Sequence, residues 1–401
     1  MTTSPLSHRS GRWLALAAIL LTAINLRTAV TSLTPLLARL GETFGFGHAM
    51  TGVFGMLPTA AFAAFGVATP ALIRRIGPER TALLAMSVAA SGLALRAMAG
   101  STAGLLTGSI IALAGMGAGN VVIPPLVKKH FADRIGSLSA TYLTFLQIGT
   151  MAPALAAVPL ADAAGWRVSL GIWSLLAVAA VLPLWALSRQ YGPESTPGVS
   201  ETLDATARIG KVWRTPLGWS MTLMFGMTSL VSYAMFTWLP LLMTEAGADA
   251  AFGGVIVAVF SSMGLIAALA VPAIAARLDN PFVLVVASWL LCLCAFAGLW
   301  LAPMRAPILW AILMGLGPST FPLALTLINL RTRTPAGSAA LSGFMQGVGY
   351  TLACAGPLLF GLLRQSSNGW GTPFVLLATA ATVILIAGWF ACRPRQLEDQ
   401  W

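Results

Sequence analysis

Arg27 stands where a charge is hard to keep. In the stretch LLTAINLRTAVTSLTPLL (20–37) it interrupts an apolar run long enough to lie inside a membrane. Plotted at about 100° per residue, Asn25, Arg27, Thr28, Thr31, Ser32 and Thr34 fill one half of a helix circumference, and Leu26, Ala29, Val30 and Leu33 fill the other. A guanidinium at mid-helix costs at least about 2.5–3.5 kcal/mol there, so it faces a cavity or a partner rather than lipid. Carboxylates would be its obvious partners, yet all twelve acids lie in loops, tails or helix ends, and so do His8, His48 and His130. Two readings follow. In one, helix carbonyls, amides such as Gln147 or Gln346, and trapped water satisfy Arg27. In the other, the substrate supplies part of the compensation and carries negative charge or several strong acceptors, which a guanidinium fork suits.

Other apolar segments offer matching groups. Asn120 lies beside the glycines of GMGAG; Tyr142, Thr144 and Gln147 lie on the next segment; Ser232, Tyr233, Thr237 and Trp238 occupy mid-depth; and Ser342, Gln346 and Tyr350 recur at four-residue spacing. Each aromatic also fits interhelical packing or an interfacial belt, and each glutamine also fits a bundle-stabilising hydrogen bond. Gly115 and Gly119 read as close helix packing, and Pro153, Pro159, Pro318, Pro322 and Pro357 as kinks. Cys292, Cys294, Cys354 and Cys392 read as structural thiols. No phosphate loop, metal-ligand spacing or nucleophile–base constellation is present, so no cofactor or metal is expected, and an ATP-driven pump or a soluble-type enzyme is rejected. Proton relays through membranes use buried acids and histidines. Their absence favours facilitated diffusion, exchange, or co-transport of an anion with a proton carried on the substrate or at edge residues such as Asp162 and Glu245.

Composition defines the elements that must position these groups. With 57% hydrophobic and 9% charged residues, the chain reads as an all-α polytopic membrane protein. Twelve apolar segments can be marked, near 13–40, 51–73, 81–99, 102–126, 137–161, 166–188, 217–244, 250–275, 282–302, 306–330, 338–363 and 371–392. Each is long enough to cross a hydrocarbon core of about 30 Å as a helix. The first follows Arg9 and Arg12, as a signal peptide would, but lacks a small-residue cleavage site and is read as a retained helix. With the N-terminus cytoplasmic, seventeen of the 23 Lys and Arg residues fall inside, among them Arg74, Arg75, Arg80, Lys128 and Lys129. Arg39, Arg96, Arg167, Arg305 and Arg364 fall outside, and Arg27 stays in the membrane. This bias places both termini in the cytoplasm. The net charge of +11 is thereby assigned to loops rather than to a nucleic-acid surface.

The polar stretch 191–216 reads as a cytoplasmic linker between an N-terminal six-helix bundle (1–190) and a C-terminal one (217–401) with a short tail. The halves share patterns in the same order: GMGAGNVVIP (115–124) with GLGPSTFP (315–322), TPALIRR (69–75) with VPAIAAR (271–277), and FLQIGTMAPALAAVP (145–159) with FMQGVGYTLACAGP (344–357). Duplicated halves are an architecture of secondary transporters, with the substrate site at the repeat interface near the midplane. The expected partners are a small-molecule substrate and the bilayer, with a coupled proton or counter-anion left open, in a monomer of the bacterial inner membrane. Two competitors are weighed. Multidrug efflux of bulky cations calls for a buried acid, and a ligand-binding sensor would need larger signalling elements than the linker and the tail 393–401.

Four stretches carry a resemblance: NLRTAVTSLTPLL (25–37), GNVVIPPLVKKHF (119–131), SLVSYAMFTWLPLL (229–242) and AALSGFMQGVGYTLACAGPLLFG (339–361). In their order the chain resembles the major facilitator superfamily, and within it the cyanate and 2-nitroimidazole transporter (CynX/NimT) group, on the nitroimidazole side. The resemblance implies twelve transmembrane helices in two pseudo-symmetric bundles around a central cavity, alternating access by rocking, and transport of a small polar or anionic organic compound. The positions it implies for the site are Arg27, Asn120, Tyr233, Trp238, Gln346 and Tyr350; the polar reading above adds Asn25, Thr31 and Gln147. Two departures stand out. Thr28 replaces the proline common after the helix-one arginine, which predicts a weaker kink, and RRIGPER (74–80) lacks the aspartate of the usual cytoplasmic-gate charge network.

Overall fold

The computed structural model describes residues 5–190 and 212–400; residues 191–211 of the predicted linker lie outside them. Among the described residues every regular element is helical. Among the described residues, eleven segments are long and apolar enough to span a membrane. The twelfth predicted segment is the helix Pro78–Ala97, which carries Glu79, Arg80 and Arg96 within its length. Contacts divide the chain into two compact units, one made of the chain up to Leu33 with Ala64–Val199, the other of Thr34–Ala63 with Ser200–Trp401. Residues 34–63, assigned from the sequence to the first bundle, thus cluster with the second unit.

The first unit contains α1 (Pro5–Asn25), α2 (Thr28–Thr31), the second half of α4 (His48–Ile76), α5 (Pro78–Ala97), α6 (Thr102–His130), α7 (Ile135–Ala164) and α8 (Trp166–Gln190). Single glycines turn α4 into α5 and α7 into α8: Gly77 has φ +82° and Gly165 φ +84°, values that carry a Cβ penalty for any other residue. Helix α5 packs closely on α6 and α8. A Cβ on Gly92 would lie 2.1 Å from the Ala112 nitrogen, and one on Gly115 would lie 2.3 Å from the Ala85 oxygen. Backbones come this near only where side chains are missing, the usual currency of helix association in lipid. The packing role read for Gly115 is thereby met.

The second unit holds α3 (Leu37–Phe44), the first half of α4, and eight further helices: α9 (Pro216–Glu245), α10 (Ala250–Ala275), α11 (Phe282–Leu301), α12 (Pro307–Leu316), α13 (Thr320–Leu330), α14 (Pro335–Ala353), α15 (Ala355–Ser367) and α16 (Gly371–Ala391). Helix α9 is its axis. Thr215 caps it by accepting from the Gly218 N–H at 3.0 Å, with Pro216 at the first helical position. It crosses α14 where a Cβ on Gly226 would lie 3.0 Å from the Gly349 Cα. Between α12 and α13 the chain breaks at Gly317–Ser319, where Pro318 has a non-helical ψ of 26°. The hydroxyls of Ser288 and Ser319 take the carbonyls of Gly317 and Leu316 there. The other prolines read as kinks lie within assigned helices.

The C-terminal tail is docked. Leu397 is fully buried and its N–H donates to the Arg331 oxygen at 2.9 Å. Arg331 in turn donates to the carbonyls of Ala391 and Cys392 at 3.2 and 2.6 Å, and Glu398 accepts from the N–H groups of Arg333 and Thr334 at 3.0 Å each. These bonds satisfy backbone groups at the ends of α13, α14 and α16.

Candidate functional site

The first membrane span is broken at its arginine. Helix α1 ends at Asn25, Arg27 takes φ −123° and ψ −7°, and α2 restarts at Thr28. The Leu26 N–H bonds back only three residues, to Ala23 at 3.2 Å. The break needs no proline, so the weaker kink predicted from Thr28 is corrected. Small polar side chains bond the helix carbonyls around the break. Asn25 donates to Leu21 at 2.7 Å, Thr28 to Asn25 at 3.0 Å, Thr31 to Arg27 at 3.2 Å, and Ser32 to Thr28 at 2.6 Å. Asn25 also reaches the Leu176 carbonyl on α8 at 3.1 Å, and its Oδ1 is buried without a partner. The residues read from the sequence as a continuous polar face therefore serve the break. Asn25, Thr28, Thr31 and Ser32 are buried, and Arg27 is half-buried.

Two neighbours seat the break by having no side chain. A Cβ on Gly149 of α7 would fall 1.8 Å from the Ile24 oxygen, and one on Gly119 of α6 would fall 2.8 Å from the Leu26 side chain. Asn120 follows Gly119 directly and Gln147 lies two residues before Gly149, so the fold brings both helices against the broken segment within one turn of them. Both side chains are half-buried, and the Asn120 amide donates to the Met116 carbonyl at 3.1 Å.

Sequence reasoning missed the largest polar group here. Arg96, assigned to the outer side from the charge bias, is fully buried in the last turn of α5. Its guanidinium donates to the Ala29 carbonyl at 2.6 Å and to the Ser32 hydroxyl at 2.9 Å. The Leu33 N–H bonds to Val30 rather than Ala29, which frees the Ala29 oxygen for Arg96. No carboxylate pairs with Arg96 among the described residues, and its Nε has no acceptor. A single arginine near the end of the least apolar segment reads as a loop residue; only the third dimension supplies the carbonyl it covers.

In the second unit the predicted residues separate into two groups. The Phe62 ring lies 6.2 Å from Tyr233 and 5.8 Å from Tyr350, and Tyr350 stacks edge-on to Phe225 at 5.1 Å. One turn before Tyr350, the Gln346 amide donates to the Ser342 hydroxyl at 2.8 Å. These form an aromatic wall with a polar end. Trp238 belongs elsewhere. It is fully buried, its Nε1 donates to the Pro357 carbonyl at 2.9 Å, and it packs among His48, Phe360 and Trp370.

The helix-end acids are not all solvated. Glu79, in the first turn of α5, is 1% exposed and accepts from Lys129 at 3.3 Å and meets His130 Nε2 at 2.8 Å, both at the end of α6. Burial alone would raise its carboxyl, but the hydrogen bonds from His130 and Lys129 and the Lys129 charge outweigh that and hold it below the usual range. RRIGPER thus lacks the expected aspartate yet supplies a charge cluster from its glutamate. Among the described residues no His, Cys, Asp and Glu group has metal-site geometry.

Membrane-length helices packed through glycine, one of them broken at an arginine and others faced with aromatic and amide groups, define a multi-pass transporter rather than an enzyme. The Major Facilitator Superfamily sequence profile matches residues 19–355, and the chain belongs to that superfamily. The 2-nitroimidazole transporter of Escherichia coli (strain K12) is 30% identical over 99% of this chain and 100% of its own length. The cyanate transport protein CynX of the same strain is 28% identical, over 88% and 91%. Among solved structures, a bacterial homologue of the human lysosomal transporter Spinster, in an inward-facing and unoccupied conformation, has a TM-score of 0.72 at 16% identity, covering 100% of this chain and 99% of that one.

Proposed function

We propose that this transporter moves a small anionic or acceptor-rich organic compound, cyanate-like or nitroimidazole-like in chemistry, across the bacterial inner membrane by alternating access. The observation that carries the reading is the broken first span, which holds the Arg27 guanidinium at a non-helical position inside an apolar segment. The names of the two whole-length relatives support the substrate class. Arg27 is the main electrostatic contact, Asn120, Gln147 and Gln346 are hydrogen-bond partners, and Tyr233 and Tyr350 wall the path. Asn25, Thr31 and Trp238 hold these groups in place. The carrier works as a monomer of two six-helix bundles, 1–190 and 217–401, joined by the linker 191–216, with both termini cytoplasmic.

Uptake of labelled cyanate and 2-nitroimidazole into proteoliposomes tests this, with Arg27→Ala and Arg27→Lys compared at equal insertion. Losing one charge-assisted contact predicts a fall of about 10- to 100-fold in kcat/KM for Arg27→Ala and a partial rescue by lysine. Wild-type uptake by Arg27→Ala would remove the core of the proposal.

A further inference from the structure

The first unit carries an apolar groove of about 400 Å³ that the transport reading leaves unused. Three helices wall it at helical spacing. Phe65, Thr69 and Leu72 recur along one stripe of α4, Leu84 and Val88 along α5, and Ala118 closes it from α6. Leu84 is 46% exposed and Ala68 of the α4 wall is exposed too, so the groove lies along an apolar outer face of the spans. From Phe65 to Arg75 the α4 wall rises about 15 Å, half of a hydrocarbon core of about 30 Å. The groove is one leaflet deep.

Its charged end has one sign. Arg75 lines the groove itself, and Arg74 and Arg80 flank it at the junction of α4 and α5. None of the three has a carboxylate partner among the described residues. The nearby acid, Glu79, is already occupied by Lys129 and His130. Deeper in the wall, Thr69 is 1% exposed and its hydroxyl has no partner in the protein. A buried hydroxyl without a partner is a rare expense in an apolar setting. The groove therefore asks for an occupant with an acyl chain, an acceptor below the interface and an anionic head.

We propose that this groove binds one anionic glycerophospholipid, its chain lying between α4, α5 and α6, its phosphate on Arg75 and a glycerol ester carbonyl accepting from Thr69. Membrane leaflets rich in anionic lipid draw basic clusters of this kind. The site is separate from Arg27 and does not depend on which compound is carried.

The test uses the purified full-length protein, stripped of lipid in detergent and then given dioleoyl phosphatidylglycerol, dioleoyl phosphatidylcholine or inorganic phosphate. Thermal melting and native mass spectrometry read the occupancy. Phosphatidylglycerol should raise Tm and be retained on the protein over phosphatidylcholine, and inorganic phosphate should do neither. Arg75→Gln should weaken retention about fivefold, the effect of one basic side chain at an anionic surface. Leu84→Trp, which fills the groove and leaves every arginine in place, should abolish it. Equal stabilisation by both lipids, the same Tm rise with inorganic phosphate, or retention unchanged in Leu84→Trp would overturn the assignment.

Discussion

Among the described residues, two membrane spans are broken in mid-course at non-helical backbone angles, and they break for different reasons. Between α12 and α13 the cause is Pro318, which leaves the Gly317 and Leu316 carbonyls to two neutral hydroxyls, Ser288 and Ser319. Between α1 and α2 no proline is present. There the side chains of Asn25, Thr28, Thr31 and Ser32 bond nearby helix carbonyls, those of Arg27 and Thr28 shared with backbone N–H groups, and a buried guanidinium covers the one left at Ala29. The break at Pro318 has a covalent contributor, a missing N–H and a fixed φ. The first break persists only while its neighbours hold it, and that is the one carrying Arg27. Under the proposed function, the substrate contact thus rests on a backbone irregularity that packing maintains.

Disrupting the seat of the first break should have the largest effect. Gly149→Val puts a side chain into the Ile24 carbonyl, whereas Gly347→Ala meets nothing within 4 Å. The valine variant should yield no monodisperse folded protein on size exclusion, and the alanine variant should elute as wild type. Folded Gly149→Val would show that α1 and α7 do not depend on this approach. Removing the guanidinium comes next. Arg96→Ala leaves the Ala29 oxygen bare and opens a cavity, with an expected loss of about 3–5 kcal/mol in detergent unfolding. Smallest is the proline break: Ser288→Ala should cost about 0.5–1.5 kcal/mol, one neutral hydrogen bond, and leave transport intact. Equal losses from Arg96→Ala and Ser288→Ala would erase the distinction between the two breaks.

The fold was legible because lipid imposes long apolar runs, and the charge bias and the small residues at Gly115 needed no tertiary information. The break at Leu26–Arg27 was not. A wheel drawn at 100° assumes the helix it is meant to test, so hydroxyls that bond their own backbone look the same as hydroxyls facing a cavity. Arg96 was hidden for a related reason: its partner is a carbonyl, and carbonyls carry no sequence signal. Trp238 shows the limit for aromatics, since a ring at mid-depth can wall a path or, as here, fill a box with His48 and Phe360. Glu79 was placed correctly at a helix end, but burial by Lys129 and His130 from α6 could not be seen from its neighbours in the chain.

Helix α5 has a consequence for how the chain is made. Its twenty residues include Glu79, Arg80 and Arg96, and each charge weighs against partition from the translocon into lipid. The carbonyl and hydroxyl that receive Arg96 belong to residues 29 and 32, synthesised earlier, while the helices that cover its remaining faces, α6 and α8, emerge later. The expected outcome is that a nascent α5 stays at the protein–lipid boundary until its sequels emerge and enters the bilayer as part of a group. Ribosome stalling sites placed before and after α8 would separate an α5 still open to water from one already enclosed.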